Sequence, residues 1–315
     1  MPTAAEYLAR LRGRLLLDWD DPIFQSPLFV GESGNARKKL TDLVSPRSED
    51  ALAWSVFRTL LRLSPESWLT GLLACCAARP SGAVAPLEME FWRQVPPPSS
   101  RLLWLLGNLD QLSFHDPRRL EQAQQRLERV RRSKEHWQTL VVAGPPERGD
   151  GILEGSTATG VVFDTPGAVV VVEAKYLSDI ARRTTWDPQR DQIARCLDAT
   201  LELAGLPTGQ AGPHRQPYFV LVTDDYVHEG PYVVPMIYET LMLRYRDDSA
   251  FRAAQLPHRS DEELARLEGR IGWTTWADLM DTVLDNSADF LAEHKGLLRE
   301  LVEYLKERKL LHKGG

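Results

Sequence analysis

The sequence predicts an α/β fold in which a central mixed sheet is flanked by helices. Two apolar runs have the length and the β-branched content of buried strands, namely Ala168 to Tyr176 and Tyr218 to Thr223. The segment 187–205 between them carries apolar residues at helical spacing. A helix that joins two such strands makes a crossover connection, so we expect the two strands to lie parallel in one sheet.

A β-hairpin is expected just before the crossover helix. Residues 151–163 are predicted to form its first strand, residues 164–167 have the Asp-Thr-Pro-Gly composition of a tight turn, and the run from Ala168 returns antiparallel. The helix that follows is expected to begin at Asp187, which precedes a proline, and to end at Gly205.

Additional helical segments are predicted on both sides of this unit. Their apolar spacing places them at about residues 4–17, 48–63, 66–78, 99–107, 117–136, 234–245, 261–268, 274–284 and 288–309. A proline-rich stretch at 80–98 is expected to be irregular, and residues 272–276 are expected to form a loop and a helix cap. We therefore divide the chain into a mostly helical N-terminal region (1–137), a core (138–230) and a helical C-terminal region packed on that core (231–315).

Composition limits the classes of partner and compartment. The net charge is -6, so attraction of nucleic acid to the whole surface is not expected and any such binding must be local. Cys75, Cys76 and Cys196 are too few and wrongly spaced for a zinc site, and are expected to be buried thiols in a reducing compartment. No apolar run resembles a signal peptide or a membrane span, so we expect a soluble, cytoplasmic protein with no membrane partner.

The strand from Ala168 delivers Glu173 and Lys175 to its far end. Residues two apart in a strand share one face, so an oxygen that can bind a hard cation lies beside an ammonium group. Gln192 and Arg195 follow one turn apart on one face of the crossover helix. Each pair has an ordinary interpretation, a solvated strand end or a salt-bridged helix surface. If the two pairs were far apart in space, the chain would be a helical interaction protein with a small sheet.

The order strand, turn, strand with Glu-x-Lys and helix with Gln-x-x-Arg resembles the PD-(D/E)XK nuclease superfamily, particularly its QxxR-bearing branch of RecB-type and defence-associated nucleases. The resemblance covers residues 150–205 and extends weakly back to Glu49. It implies a restriction-endonuclease-like central mixed sheet and a Mg²⁺-dependent nuclease, for which Mn²⁺ is a substitute. The implied partner is nucleic acid, DNA first, in bacterial defence or repair, and a homodimer is compatible with relatives that cut both strands.

The resemblance also implies roles for the site residues. Glu173 would be a metal ligand, and Lys175 would orient or help deprotonate the attacking water or stabilise charge on phosphorus. Gln192 and Arg195 would brace the site from the helix, with Arg195 pairing a ligand carboxylate or a phosphate.

An early helix often adds a metal-facing glutamate in this family, and Glu49 is in that position. Ser48 is expected to cap the helix, and the apolar residues Leu52, Val56 and Leu60 would dock it on the sheet. An acid in the first turn also suits the helix dipole, so Glu49 has a structural explanation as well as a ligand one.

The sequence departs from the family at the acid of the first hairpin strand. If the turn is centred on Pro166 and Gly167, antiparallel pairing places Thr159 or Gly160 opposite Glu173. Neither residue is acidic, although the family carries a second metal-binding carboxylate there.

Three hypotheses account for this departure. In the first, a bulged or shorter hairpin brings in Asp164 as the ligand, although Asp164 also suits the first position of a turn. In the second, Glu154 moves in. In the third, the site has lost its aspartate at Gly160, which would leave a catalytically inactive nuclease fold that binds nucleic acid or a protein partner.

The loop between the hairpin and the crossover helix carries a candidate nucleic-acid contact. Arg182 and Arg183 are adjacent and follow the Glu-x-Lys strand directly, so they should border the cleft. Trp186 is expected to pack against the helix rather than stack on a base.

Overall fold

The computed structural model describes residues 4–26, 29, 39, 41–112, 120–143, 154–181, 190–205, 215–224 and 237–311. The α-helices within them are α1 (Ala4–Arg12), α2 (Glu49–Leu60), α3 (Pro65–Leu72), α4 (Ser99–Gly107), α5 (Leu120–Arg132), α6 (Lys134–Ala143), α7 (Gln192–Gly205), α8 (Ile237–Asp247), α9 (Ser249–Gln255), α10 (Asp261–Ala265), α11 (Trp276–Asp285) and α12 (Ala292–Glu307). The strands are β1 (Glu88–Phe91), β2 (Gln94–Val95), β3 (Thr157–Ala158), β4 (Val161–Asp164), β5 (Ala168–Ala174), β6 (Gln216–Thr223) and β7 (Ile271–Thr275).

A five-stranded mixed sheet lies at the centre, with the strand order β1-β4-β5-β6-β7. The pairs β1–β4 and β4–β5 are antiparallel, whereas β5–β6 and β6–β7 are parallel. The chain passes from β5 to β6 through α7, as a parallel pair requires. The expected α/β class, the mixed sheet flanked by helices and the parallel relation of the two apolar strands are confirmed.

Both faces of the sheet are covered, which explains why β5 is an almost continuous apolar run. All seven of its residues are buried. Val170 and Val172 pack in the apolar cluster formed with α2 and α11. Val169 and Val171 point the other way, into the cluster formed with α7 and α8. A residue at the end of β5 is therefore within reach of helices from both layers.

Helix α2 docks on the sheet as its apolar spacing predicts. Leu52, Val56 and Leu60 are fully buried in the cluster that contains the β5 valines. Ser48 caps the helix, since its side-chain oxygen accepts a hydrogen bond from the amide of Ala51 at 3.1 Å. The cap fixes the place where α2 begins, and with it the position of Glu49.

Two strands of the sheet were not expected from the sequence. Strand β1 lies in the proline-rich stretch, and β7 lies where a loop was predicted before Trp276. The cap at that point is confirmed, because the side chain of Thr275 accepts a hydrogen bond from the amide of Asp278. The sheet therefore draws strands from all three predicted regions, and the boundary at residue 137 falls inside α6. The three regions are not structurally separate.

The hairpin and the crossover helix also differ in extent from the prediction. Residues 161–164 are the part of the first predicted strand that joins the main sheet, while β3 pairs with β2 in a two-stranded sheet. Helix α7 begins at Gln192, and Asp191 accepts a hydrogen bond from the amide of Ala194 at 2.9 Å. Asp191 therefore takes the capping role that was expected of Asp187, which lies outside the described residues. Gly205, the expected last residue, is the last residue of the helix that the structure describes.

The three cysteines are free thiols. Cys76 and Cys196 are buried, and Cys75 is half-buried. As for membranes, no helix in the part of the chain that the structure describes has the length and apolar content needed to cross a bilayer.

The Ser48 cap can be tested by removing its oxygen. Ser48→Ala should lower the free energy of unfolding by about 1 kcal/mol, because the buried Ala51 amide loses its acceptor and water cannot replace it. Ser64→Ala is the matched control, since Ser64 precedes α3 at the same position but its side chain makes no capping bond. Urea unfolding of the two variants measures the difference, and equal losses would contradict this account.

Candidate functional site

Side chains from β5, α2 and α7 meet at the carboxyl end of β5. The ammonium nitrogen of Lys175 lies 3.0 Å from Glu173 Oε1 and 3.4 Å from Glu49 Oε1. Gln192 Nε2 donates a hydrogen bond to Glu173 Oε1 at 2.6 Å. Glu49 and Lys175 are 126 positions apart in the sequence, so the fold brings together residues that local structure does not. The two motif pairs are thus not remote from each other.

Burial couples the charges of this cluster. The side chains of Glu173 and Lys175 are 9% and 5% exposed, whereas that of Glu49 is 35% exposed. Burial raises the pKa of the Glu173 carboxyl, and the neighbouring ammonium opposes that rise. Burial by itself would lower the pKa of Lys175, but the carboxylates of Glu173 and Glu49 outweigh it and the pKa is raised. The protonation of Glu173 and that of Lys175 are therefore coupled.

The backbone of Lys175 is fixed on several sides. Its amide donates to the carbonyl of Val222 at 2.8 Å, and its carbonyl accepts from Trp276 Nε1 at 3.1 Å. The next turn of the chain is held at Leu177, which has a φ of 54° and whose amide donates to Asp224 Oδ2 at 3.0 Å. The direction of the Lys175 side chain is consequently set by β6 and α11 together.

Gln192 holds the loop after β5 as well as Glu173. The backbone N–H of Gln192 donates to the carbonyl of Ala181 at 2.9 Å. The side-chain oxygen of Gln192 accepts from the backbone N–H of Ala181 at 3.2 Å. One side chain therefore ties α7, β5 and the loop into a single unit. The contacts place Gln192 beside Glu173, the residue with which the resemblance groups it.

Two further residues touch the carboxylates and were not anticipated. Ser178 Oγ donates to Glu49 Oε2 at 2.7 Å, and Cys196 Sγ lies 3.9 Å from Glu173 Oε2. Cys196 stands one helical turn after Gln192, so its position beside Glu173 could have been derived from helical spacing. Nothing in the sequence marks Ser178.

Gly160 lies opposite Glu173. The register pairs Val161 with Val172, so Gly160, which precedes Val161, faces Glu173, which follows Val172. The position of the turn predicted Thr159 or Gly160 at this point. A Cβ atom on Gly160 would lie 2.6 Å from the carbonyl oxygen of Val172 and 3.5 Å from Glu173 Oε2. Gly160 is also the residue at which the chain passes from β3 to β4. The close approach of another backbone is a structural reason for glycine here.

The hypothesis that Asp164 supplies the missing ligand needs correction. Asp164 pairs with Val169 in a regular hairpin without a bulge. It stands four residues beyond Gly160, which is about 13 Å along the strand. Its carboxylate forms an ion pair with the buried Arg215. Asp164 therefore belongs to the opposite end of the hairpin and does not join the cluster.

Glu154 is also engaged elsewhere. Its Oε2 atom accepts from Arg101 Nε at 2.7 Å and from Arg190 Nη1 at 3.1 Å. All three side chains are almost fully buried. The contacts of Glu154 in the described part of the chain are with arginines, so the hypothesis that it moves toward Glu173 is not supported.

Arg195 braces the chain rather than a ligand carboxylate. Its Nη2 atom donates to the carbonyls of Gly155 and Ser156 at 3.2 and 2.9 Å, and its Nε lies 3.6 Å from Glu154 Oε1. These contacts hold the segment that leads into Gly160, so the described contacts of Arg195 are with this segment and not with Glu173 or Glu49. Arg182 and Arg183 lie outside the described residues.

A buried ionic network fixes α7 against its surroundings. Asp198 forms ion pairs with Arg190 and with Arg259 at 2.6 Å, and a hydrogen bond with His258 Nε2 at 3.0 Å. Burial raises the pKa of Asp198, but these three partners hold it well below its usual range. Because Arg190 also binds Glu154, the network joins both sides of α7 and thereby sets the position of Gln192.

The carboxylates present are compatible with a magnesium site of limited size. No group of three or more His, Cys, Asp or Glu side chains in the described ranges is arranged to hold a metal ion. Glu49 and Glu173, however, already share one cation, the Lys175 ammonium. Mg²⁺ keeps several waters and is commonly bound by one or two carboxylates together with substrate phosphates. The donor set fits that mode of binding and does not fit an all-protein cage.

A scan against protein-family models and searches of curated proteins and of solved structures found no match to this chain.

The Asp191 cap predicts a dependence of stability on pH. Burial raises the pKa of Asp191 to about 6, against its hydrogen bonds with Ala194 and Tyr245, which lower it. Because the folded pKa exceeds the unfolded value of about 3.9, the folded chain binds the proton more tightly. The resulting stabilisation is complete below about pH 4 and is lost as the pH rises through 6.

Asp191→Asn keeps the capping oxygen and removes the titration. Between pH 5 and pH 8 the unaltered chain should lose about 1.4 kcal/mol of unfolding free energy relative to this variant, as measured by urea unfolding at each pH. Asp248→Asn is the control, since Asp248 caps α9 through the same kind of bond at an exposed position. Parallel pH curves for the unaltered chain and Asp191→Asn would contradict the assignment.

Proposed function

We propose that this chain is a Mg²⁺-dependent nuclease with a restriction-endonuclease-like fold, which hydrolyses phosphodiester bonds of DNA and accepts Mn²⁺ in place of Mg²⁺. The observation that carries the proposal is the contact of Glu49 with the same ammonium group that Glu173 binds. The resemblance implies that an early helix brings a glutamate to this point. The packing of α2 on the sheet does not by itself require the contact between Glu49 and Lys175.

The charge balance of the cluster supports cation binding. A structural ion pair at the end of β5 would need one carboxylate for Lys175, and Glu173 supplies it. Glu49 adds a second carboxylate, which is half-buried and faces the same point. With all three groups ionised, the cluster carries one negative charge in excess, and a bound divalent cation would offset it.

Each residue of the cluster then has a separate task. Glu173 and Glu49 would hold the metal, which when bound polarises the phosphoryl group and acidifies an attacking water. Lys175 supplies positive charge beside the reacting phosphate, and its fixed backbone sets the direction of that charge. Gln192 orients Glu173, and Ser178 orients Glu49. Cutting of both strands would take two such centres, one from each chain of a homodimer.

The proposal is tested by metal binding and cleavage with isosteric variants. The unaltered chain should bind Mn²⁺ or Mg²⁺ in calorimetry and cut plasmid or single-stranded DNA. Glu173→Gln and Glu49→Gln should each weaken metal binding by about tenfold or more and remove cleavage, because each deletes a charged ligand oxygen but keeps the side-chain volume.

Asp164→Asn is the control for this experiment. It removes an acid from the same hairpin, at a point about 13 Å from the cluster, so the folded variant should bind metal and cut DNA as the unaltered chain does. Failure of the unaltered chain to bind either metal would contradict the proposed function. Loss of both properties in a folded Asp164→Asn variant would contradict the choice of ligands.

Gly160 favours a second candidate function. The residue opposite Glu173 has no side chain, so the carboxylate that the family carries there is missing. A chain of this kind would be a catalytically inactive member of the superfamily that binds nucleic acid or a protein partner.

Two substitutions at Gly160 separate the candidates. Gly160→Ala and Gly160→Asp both place a Cβ 2.6 Å from the Val172 carbonyl, so both should lower the unfolding free energy by about 1–3 kcal/mol. The aspartate variant alone also adds a carboxylate near Glu173 Oε2. Metal binding by Gly160→Asp, with none by Gly160→Ala or the unaltered chain, would establish the second candidate. Binding and cleavage by the unaltered chain would exclude it.

A further inference from the structure

A cavity of about 630 Å³ is lined by four arginines. They are Arg12, Arg14, Arg47 and Arg308, which come from the end of α1, the segment before α2 and the end of α12. Because these segments are far apart in the sequence, the concentration of positive charge is created by the fold.

The chain connects this cavity directly to the cluster. Tyr176 and Leu177 contribute to its lining and follow Lys175 in sequence. Arg47 precedes Glu49 by two residues. Two separate stretches of backbone therefore lead from the wall of the cavity to the two ends of the Lys175–Glu49 contact.

In the part of the chain that the structure describes, none of the four cavity arginines forms an ion pair with a carboxylate, although Glu307 also lines the cavity. Elsewhere in the same chain buried arginines are paired, as Arg190 and Arg259 are with Asp198. In a protein with a net charge of -6, four arginines gathered around one cavity form a local concentration of positive charge that suits an anionic ligand.

Three of these arginines are held in place by groups that do not cancel their charge. The guanidinium of Arg308 lies 3.5 Å from the centre of the Tyr304 ring, and that of Arg12 lies 5.3 Å from the centre of the Trp19 ring. Arg14 Nε donates to the carbonyl of Val44 at 3.0 Å. Ordering before binding reduces the entropy cost of a phosphate contact.

We propose that this cavity binds the phosphates of a single DNA strand and leads that strand to the Glu49–Glu173–Lys175 cluster. Planar guanidinium groups bind phosphate through two parallel hydrogen bonds. The volume is that of a small-ligand pocket, which has room for nucleotides of one strand but not for the width of a base-paired duplex. The inference rests on the proposed function for the identity of the ligand.

The test measures binding without cleavage. The probe is a fluorescein-labelled single-stranded oligonucleotide, and its anisotropy is titrated with the full chain in EDTA at several salt concentrations. Arg47→Gln/Arg308→Gln should weaken binding by about tenfold at low salt. It should also reduce the slope of log affinity against log salt by about 0.7 for each arginine removed.

Arg299→Gln is the matched control. Arg299 lies on α12, is exposed, donates to the carbonyl four residues earlier as Arg308 does, and has no carboxylate partner among the described residues. Arg299→Gln removes the same charge as each cavity substitution, but Arg299 does not line the cavity. Binding by this variant should therefore stay close to that of the unaltered chain. Arg47→Gln alone serves if the double variant does not fold, because Arg47 is exposed and its loss leaves the Tyr304 contact intact.

Each other outcome overturns the assignment. No binding by the unaltered chain, an unchanged salt slope in the arginine variants, or equal weakening by Arg299→Gln would exclude the cavity as the strand site. Equal competition by a duplex would exclude a single strand, and equal competition by inorganic phosphate would identify a small-anion pocket. Because the assay runs in EDTA, it measures binding independently of metal and cleavage. A chain that binds the strand in EDTA but fails to cut DNA in the Mg²⁺ or Mn²⁺ assay would contradict the proposed nuclease function and leave the cavity assignment standing.

Discussion

Burial of the Glu173 carboxylate is the constraint from which the geometry of the centre follows. A charged group that is 9% exposed must find partners inside the protein, because desolvation without them costs several kcal/mol. Lys175 supplies the cation and Gln192 supplies a hydrogen bond. Lys175 is buried in turn, and Glu49 is the second carboxylate that its ammonium group contacts. The polar contacts thus extend from one strand into the helical layers on both faces.

Arginine serves two different purposes in this chain. Arg101, Arg190 and Arg259 are buried and matched with carboxylates, so they hold α7, α4 and the C-terminal segments in position. Three of the four cavity arginines are held instead by aromatic rings or a carbonyl group, which leave their charge in place. An acidic protein can thus present positive charge at one place while other arginines, such as Arg190 and Arg259, are paired internally.

The parts of the fold that were predicted correctly are those with strong local signals. The apolar runs identified β5 and β6, and a turn containing Pro166 and Gly167 was enough to place Gly160 opposite Glu173. The cap at Ser48 likewise located the start of α2. The convergence of Glu49 with Lys175 was anticipated only from the family resemblance, because no local pattern specifies a contact across the sheet.

The parts that were missed depend on pairing at the edges of the sheet. Strand β1 alternates charged and apolar residues between prolines, and β7 contains Gly272 and two threonines, so neither has the apolar run of a central strand. Asp164 was misjudged because an acid beside a turn carries no information about a distant cation such as Arg215. The arginine cavity is assembled from segments separated by most of the chain, and a linear pattern contains no sign of it.

The order of the strands along the chain has a consequence for synthesis on the ribosome. Strand β6 ends at Thr223, whereas its outer neighbour β7 begins only at Ile271. At about 5–20 residues per second, several seconds separate the emergence of the two strands. During that interval the apolar strand β6 has one edge whose amides and carbonyls lack their final partner, and such an edge recruits strands from other chains. Between the completion of β6 and the arrival of β7 the nascent chain is therefore exposed to aggregation through this edge.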